Sequence, residues 1–356
     1  MPVNTGLADI SNDFLLVAVA VYALAMLAYA CDFAFGRKAV PAVRKARVPA
    51  LAGAKSGAGA GLDADGVDAA DGAVGADGSE GAAGTAGPGA GAGPALGLRP
   101  APPGLWVRIA VALTAVGLAA HLTGVVTRGL SVHRLPWGDM YEFVTALTCV
   151  AVAFFLAAMI RYRAYYMGLF VMVAVVIVLG LAETVIYTPA GPLVPALQSY
   201  WLAIHVTAMT LATGVFFVAA VIGITYLFVD RHARRLAAGR PTGADGILRR
   251  LPGPEALDRL AYRTVVFGFP IWTFGVMAGA IWADRAWGSY WSWDPTETWA
   301  FITWVVYACF LHARATAGWR GRRASGIQLA GFGCVLFNVL VISLLVPGLH
   351  SYAGLS

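Results

Sequence analysis

The sequence predicts an all-α, polytopic membrane helix bundle of about eight transmembrane helices, and three observations predict it. Of 356 residues, 59% are hydrophobic and only 12% charged, whereas a soluble domain is nearer half apolar and a quarter charged. Mean hydropathy is +0.71. Too few charges remain to solvate so apolar a surface, and too many apolar groups are present for a globally disordered chain. Apolar runs of the length that crosses a hydrocarbon core recur along the chain. The segments between them alternate between basic and nearly uncharged.

The runs cover roughly 12–35, 104–127, 141–160, 166–187, 198–229, 263–283, 295–313 and 326–346. The first is too long and too late for a cleaved signal peptide and lacks a basic start, so it reads as a retained helix, residues 1–35. Residues 36–103 begin with Arg37, Lys38, Arg44, Lys45 and Arg47 and continue as a Gly/Ala tract with scattered Asp and a Pro-rich end. No aromatic residue occurs between Phe35 and Trp106, so this segment has little to bury and is expected to be a disordered cytoplasmic linker. Residues 104–356 hold the remaining seven helices as one domain.

Charge sets the expected orientation. Basic clusters follow runs one, three, five and seven: Arg37 to Lys55, Arg161 with Arg163, Arg231 through Arg259, and Arg314 with Arg320, Arg322 and Arg323. The alternate segments carry only Arg128, Arg134 and Arg285. The positive-inside rule assigns the first set to the cytoplasm, with both termini outside. The net charge of +6 therefore reports membrane topology and not nucleic-acid binding. Arg far outnumbers Lys, in an Ala- and Gly-rich chain; this reads as the codon bias of a high-GC bacterial genome and points to a bacterial cytoplasmic membrane. Cys31, Cys149, Cys309 and Cys334 all fall in or beside apolar runs, with no CxxC pair, and read as small hydrophobes.

Topology sorts the six histidines by depth. His205 lies in the first turns of run five, within about 10 Å of its outer end, while His312 lies 17 residues below the outer start of run seven, about 25 Å deeper. His350 follows the outer end of run eight after Pro347-Gly348, His133 is in an outer loop, and His121 is near the outer end of run two. His232 reads as a solvated residue of a basic loop. His205 and His350 thus converge on the outer face.

Between runs six and seven lies W-G-S-Y-W-S-W-D-P-T-E-T-W, residues 287–299. Asp294 as N-cap, Pro295 at N1 and Glu297 at N3 form a capping box and need no ligand. Trp287, Tyr290, Trp291, Trp293 and Trp299 within thirteen positions are denser than an interfacial aromatic belt. They offer an apolar platform for a large planar ligand. A haem meets that description: its iron takes an imidazole on each side, from His205 and His350, and its propionates take arginines, from Arg128, Arg134 and Arg285.

WGSYWSWD resembles the tryptophan-rich WWD signature of haem-handling proteins in cytochrome c biogenesis. DPTETWAFITWVVYACFLHAR, PLVPALQSYWLAIHV, LPWGDMYEF and VPGLHSY are similar to the CcsA/ResC type of that family, also labelled CcsB. The resemblance spans about residues 104–356. It implies that Trp287, Tyr290, Trp291, Trp293 and Asp294 bind haem b, as substrate and ligand, at the outer face between His205 and His350. It implies that His312 matches a membrane histidine contacting haem on the cytoplasmic side, with a second ligand from a CcsB/ResB-type membrane subunit. It further implies haem export or presentation and covalent attachment to the CxxCH segment of apocytochrome c, as a subunit of a holocytochrome c synthase with thiol reductant proteins as further partners. The alternatives are the haem-handling subunit of the ABC-linked maturation system, whose members are shorter or far longer, and a membrane transporter with an aromatic gate. The latter would carry internal repeats or paired intramembrane charges.

Overall fold

The computed structural model describes residues 3–35, 104–192, 199–240, 248 and 251–350. The expected linker, 36–103, lies outside the described residues. Each of the eight apolar runs forms a helix: α1 Thr5–Phe35, α2 Leu105–Ser131, α3 Met140–Tyr162, α4 Gly168–Val185 behind a short 3-10 turn, α5 Tyr200–Ala237, α6 Pro254–Trp287, α7 Pro295–Ala315 and α8 Arg322–Phe337. Helix α8 continues through a π-helical segment, Asn338–Ile342, and a last turn, Ser343–Leu345. Among the described residues seven helices, α1 to α6 and α8, are long and apolar enough to cross a membrane, so the chain is a multi-pass membrane protein. Helix α7 has 21 residues but carries Glu297, His312 and Arg314, which lower its hydropathy.

Helices α5 and α6 run farthest past their apolar runs. Helix α5 continues past residue 229 to Ala237, and α6 starts at Pro254, nine residues before the run that marks it. Hydropathy marks what sits in lipid, whereas a helix continues into water wherever its charges are satisfied. Asp230 pairs with Arg234 one turn later, at 2.9 Å. Asp258 holds Arg314 of α7 through two parallel contacts of 2.8 and 3.0 Å. Pro254, whose missing N–H costs nothing at the first helical position, opens α6.

Helix α5 is the axis of the bundle. Its most apolar window is 83% buried, against 28 to 56% for the other spans. One face packs into a core with α1 to α4 through Phe217, Val221 and Tyr226. The other packs against α6, α7 and α8 through Ala212, Phe216 and Ala219. There Phe216 stacks on Tyr307, ring centroids 4.0 Å apart, and the Trp272 indole N–H donates to the Ala300 carbonyl at 3.3 Å. Lipid tails are as apolar as leucine, so helices in membranes associate through close packing and hydrogen bonds. The pairs α1 with α2 and α5 with α6 pack most extensively. Helix α1 is joined to α2 by Ser11 Oγ donating to the Gly124 carbonyl at 2.8 Å and by Tyr22 Oη against His121 Nδ1 at 3.3 Å.

Candidate functional site

Helices α5 and α6 approach closely because α6 presents glycine to α5. A Cβ on Gly275 would lie 2.6 Å from Met209 Sδ, and one on Gly279 would lie 2.6 Å from His205 Cε1. The Nδ1–Cε1 edge of the His205 ring is therefore pressed against α6 at Gly279. Its Nδ1–H donates to the Gly275 carbonyl at 2.7 Å. A carbonyl only accepts, so Nδ1 carries the proton and Nε2 is the lone-pair nitrogen.

His350 is fixed in the same sense from another direction. Its Nδ1–H donates to Asp294 Oδ2 at 2.9 Å. Asp294 is the N-cap of α7, with the full capping box: its side chain accepts from Thr296 N at 3.0 Å, and Glu297 reaches back to the Asp294 N–H at 3.3 Å. The same carboxylate accepts from Leu349 N at 2.6 Å. Burial pushes the Asp294 carboxyl up, but the His350 contact and the two backbone N–H donors outweigh it, and the group sits below the usual carboxylate range. One carboxylate thus starts a helix and orients a histidine brought from 56 residues away.

Both imidazoles lie against Trp282. His205 stacks on it at 6.1 Å between ring centroids, and His350 meets it edge-on at 5.8 Å and Trp287 at 5.4 Å. They also line the same two adjoining cavities. One, about 80 Å³, is walled by Trp287, Tyr290, Trp291, Glu297 and Ala300. The other, about 170 Å³, is walled by Trp137, Gly138, Asp139, Met140 and Phe143 from the α2–α3 loop and the start of α3. Met209, Thr296 and Asn338 border both. Metal-ligating histidines usually donate their second ring N–H to a carbonyl or carboxylate, and both histidines here do so. The donor set and the aromatic wall fit a metalloporphyrin.

The remaining site expectations divide. Trp287, Tyr290 and Trp291 face the smaller cavity. Trp293 is largely exposed, with a left-handed backbone (φ 57°), and packs edge-on against Trp291 at 5.7 Å. Arg128 and Arg134 line neither cavity. Both converge on buried Glu142, through Arg128 Nε to Oε1 at 3.1 Å and Arg134 Nη1 to Oε2 at 2.6 Å. Arg128 also donates to the Thr188 carbonyl, Arg134 to that of Gly191 at 3.0 Å, and the Gly138 N–H to Glu142 at 2.7 Å. They brace the Trp137–Asp139 wall of the larger cavity. Arg285 is exposed, over the Tyr200 ring at 5.7 Å. His312 is exposed on α7, 17 residues from Pro295 and hence about 25 Å along the axis. It lines neither cavity with His205 and His350.

Sequence reasoning missed Asn338, Trp282, Gly279 and the Trp137–Asp139 wall as parts of the site. Asn338 had a usable signal, an amide inside an apolar run. Gly279 had none: its role is a contact across two helices.

Comparison with known proteins is consistent across sequence and fold. A family model described as cytochrome C assembly protein matches residues 137–350, from the wall of the larger cavity to the second histidine. The "Cytochrome c biogenesis protein CcsA" of Gloeobacter violaceus is 36% identical over 297 residues, covering 69% of this chain and 85% of that protein. The protein of that name from Chlamydomonas reinhardtii is 44% identical over 163 residues, covering 46% of this chain and 43% of the relative. A solved structure, "Cytochrome c Heme Lyase CcmF", superposes with a TM-score of 0.58 at 15% identity, covering 96% of this chain and 47% of that one. That likeness concerns the fold alone, and this chain spans about half the length of that structure.

Proposed function

The chain belongs to the cytochrome c assembly protein family, in its CcsA branch, and from that premise we propose that it holds haem b for covalent attachment to apocytochrome c. The observation that carries this reading is the pair of matched tautomers: His205 donates Nδ1–H to the Gly275 carbonyl and His350 donates to Asp294, so each has Nε2 as its lone-pair nitrogen beside a common cavity. Bis-imidazole ligation of haem iron needs that nitrogen on both rings.

The reaction joins two thiols of a CxxCH segment to two haem vinyl groups. Each S–H adds across a C=C, giving a C–S and a C–H bond with no net oxidation. This chain then needs no nucleophile of its own. Its residues position: Gly275 and Asp294 hold the two rings, while Trp287, Tyr290 and Trp291 form an apolar wall that excludes water. Holding a vinyl beside a thiol replaces a bimolecular encounter with an oriented one. The substrate's own histidine would displace one of the two imidazoles.

The finer proposals follow from the sequence. The His205/His350 end faces the outside of a bacterial cytoplasmic membrane, both termini lie outside, and the basic ends of α5 and α7 face the cytoplasm. His312 serves a separate inner haem position, completed by a CcsB/ResB-type subunit. Thiol reductants keep the CxxCH substrate reduced. The deciding experiment expresses the full chain with adequate haem and compares wild type with His205→Ala, His350→Ala and the double substitution. Wild type should show a bis-imidazole Soret band; each single variant should lose it and regain it with added imidazole. Wild-type cytochrome c maturation in the double variant without imidazole would reject the assignment.

A further inference from the structure

Asn338 sits where α8 passes from α-helix to π-helix. Single π turns inside α-helices are frequent at functional sites because they turn one residue out of register. Asn338 is buried and borders both cavities beside His205 and His350. Its Nδ2 donates to the Thr296 carbonyl at 3.2 Å, which assigns the amide, since that carbonyl can only accept. The other amide atom, Oδ1, is buried with no hydrogen-bond partner among the described residues. Across the larger cavity the indole Nε1–H of Trp137 is likewise buried and unpartnered among the described residues. Each such orphan carries an unrecovered desolvation penalty, so a ligand that satisfied both would bind with that gain.

An orphan acceptor tells ligands apart. A haem with ionised propionates carries peripheral acceptors but no O–H or N–H donor at its rim. It can satisfy Trp137 but not Asn338 Oδ1. A peptide backbone presents a donor N–H and an acceptor C=O on each residue and satisfies both. We propose that the larger cavity, between Asn338 and Trp137, is the docking site for the backbone of the thiol-bearing substrate peptide, and that Asn338 Oδ1 accepts one of its N–H groups. This rests on the reading that the chain joins haem to a CxxCH peptide. It adds that the two cavities divide the work, the aromatic one facing the macrocycle and the Trp137 one the polypeptide.

The test uses the full-length, haem-loaded protein and a synthetic CxxCH peptide, with a second peptide N-methylated at single backbone positions within the motif. Asn338→Leu should weaken peptide capture about tenfold, the loss expected for one hydrogen bond of roughly 1 to 1.5 kcal/mol, and leave the Soret band unchanged. N-methylation at one position should weaken capture by wild type to the same degree and have no further effect on Asn338→Leu. Trp137→Phe, which removes the N–H donor together with part of the ring, should weaken capture several-fold and keeps the test alive if Asn338→Leu fails to fold. Unchanged capture in both variants overturns the proposal, as does a lost Soret band with unchanged capture, which would assign Asn338 to haem. A wild type that binds no haem fails the parent reading instead, and its spectrum alone reports that.

Discussion

A single methyl group at position 279 should disable the site without touching a ligand. A Cβ there would lie 2.6 Å from His205 Cε1 and 2.7 Å from its Nδ1. Carbon contacts relax near 3.5 Å, so the ring must retreat by about 1 Å. It cannot do so and keep the 2.7 Å hydrogen bond to the Gly275 carbonyl, because that bond lies on the same face of α6. The cost combines overpacking of about 1 to 3 kcal/mol with about 1 kcal/mol for the lost bond. If the ring moves instead of the helix, His205 Nε2 is displaced by a comparable distance from the position proposed for the haem iron. A misplacement of 1 Å costs on the order of 100-fold in rate. Gly279→Ala should therefore lower haem affinity and holocytochrome c yield by about 100-fold, while Gly180→Ala and Gly333→Ala, where a Cβ meets nothing within 4 Å, stay at wild type. Haem titration followed at the Soret band, with holocytochrome c scored by haem stain, measures both. A Gly279→Ala protein with wild-type affinity and spectrum would refute the view that α6 backbone fixes the His205 ring.

Three further substitutions separate roles that share residues. Asp294→Asn keeps an N-cap of nearly equal strength but removes the ionised acceptor of His350, so thermal stability should fall by less than about 1 kcal/mol while bis-imidazole haem is lost; retention of that spectrum would disprove the orienting role. Burial, aided by nearby Glu142, lifts the Asp139 carboxyl from 3.8 to about 6, against opposition from the Glu142 N–H, Arg128 and Arg134. Its folded value thus exceeds its unfolded one, so its contribution to stability is complete below about pH 4 and is lost as pH rises through about 6; Asp139→Asn should flatten the stability profile over that window in thermal unfolding. Glu142→Ala strips the carboxylate from the buried Arg128 and the half-buried Arg134 guanidinium groups and should cost about 3 to 5 kcal/mol, seen as a lower unfolding temperature in detergent; a neutral outcome would remove Glu142 as the brace of the Trp137–Asp139 wall.

Some of the site was legible in the sequence because its signals are local. The capping box at Asp294 and Glu297 depends on residues three apart, and the aromatic density from Trp287 to Trp299 is visible in thirteen letters. His205 and His350 could be paired by counting residues from helix ends, since an α-helix rises a fixed distance per residue. Arg128 and Arg134 show the limit. They are exceptions to the charge pattern, and the sequence alone points them at haem propionates. The structure gives both to Glu142, 14 and 8 residues away, across a loop whose path includes a left-handed His133 (φ 54°). No periodicity encodes a contact made across such a loop.

The sequence by itself determined the number of helices, the membrane as their solvent and the end at which polar and aromatic groups collect, because each follows from composition over a few turns of chain. Tertiary structure alone decided which nitrogen of each histidine carries the proton. That choice is made by the Gly275 carbonyl, 70 residues from His205, and by the Asp294 carboxylate, 56 residues from His350. A tautomer is set by whatever acceptor reaches the ring, and only packing brings α6 to α5 and the end of α8 to the start of α7.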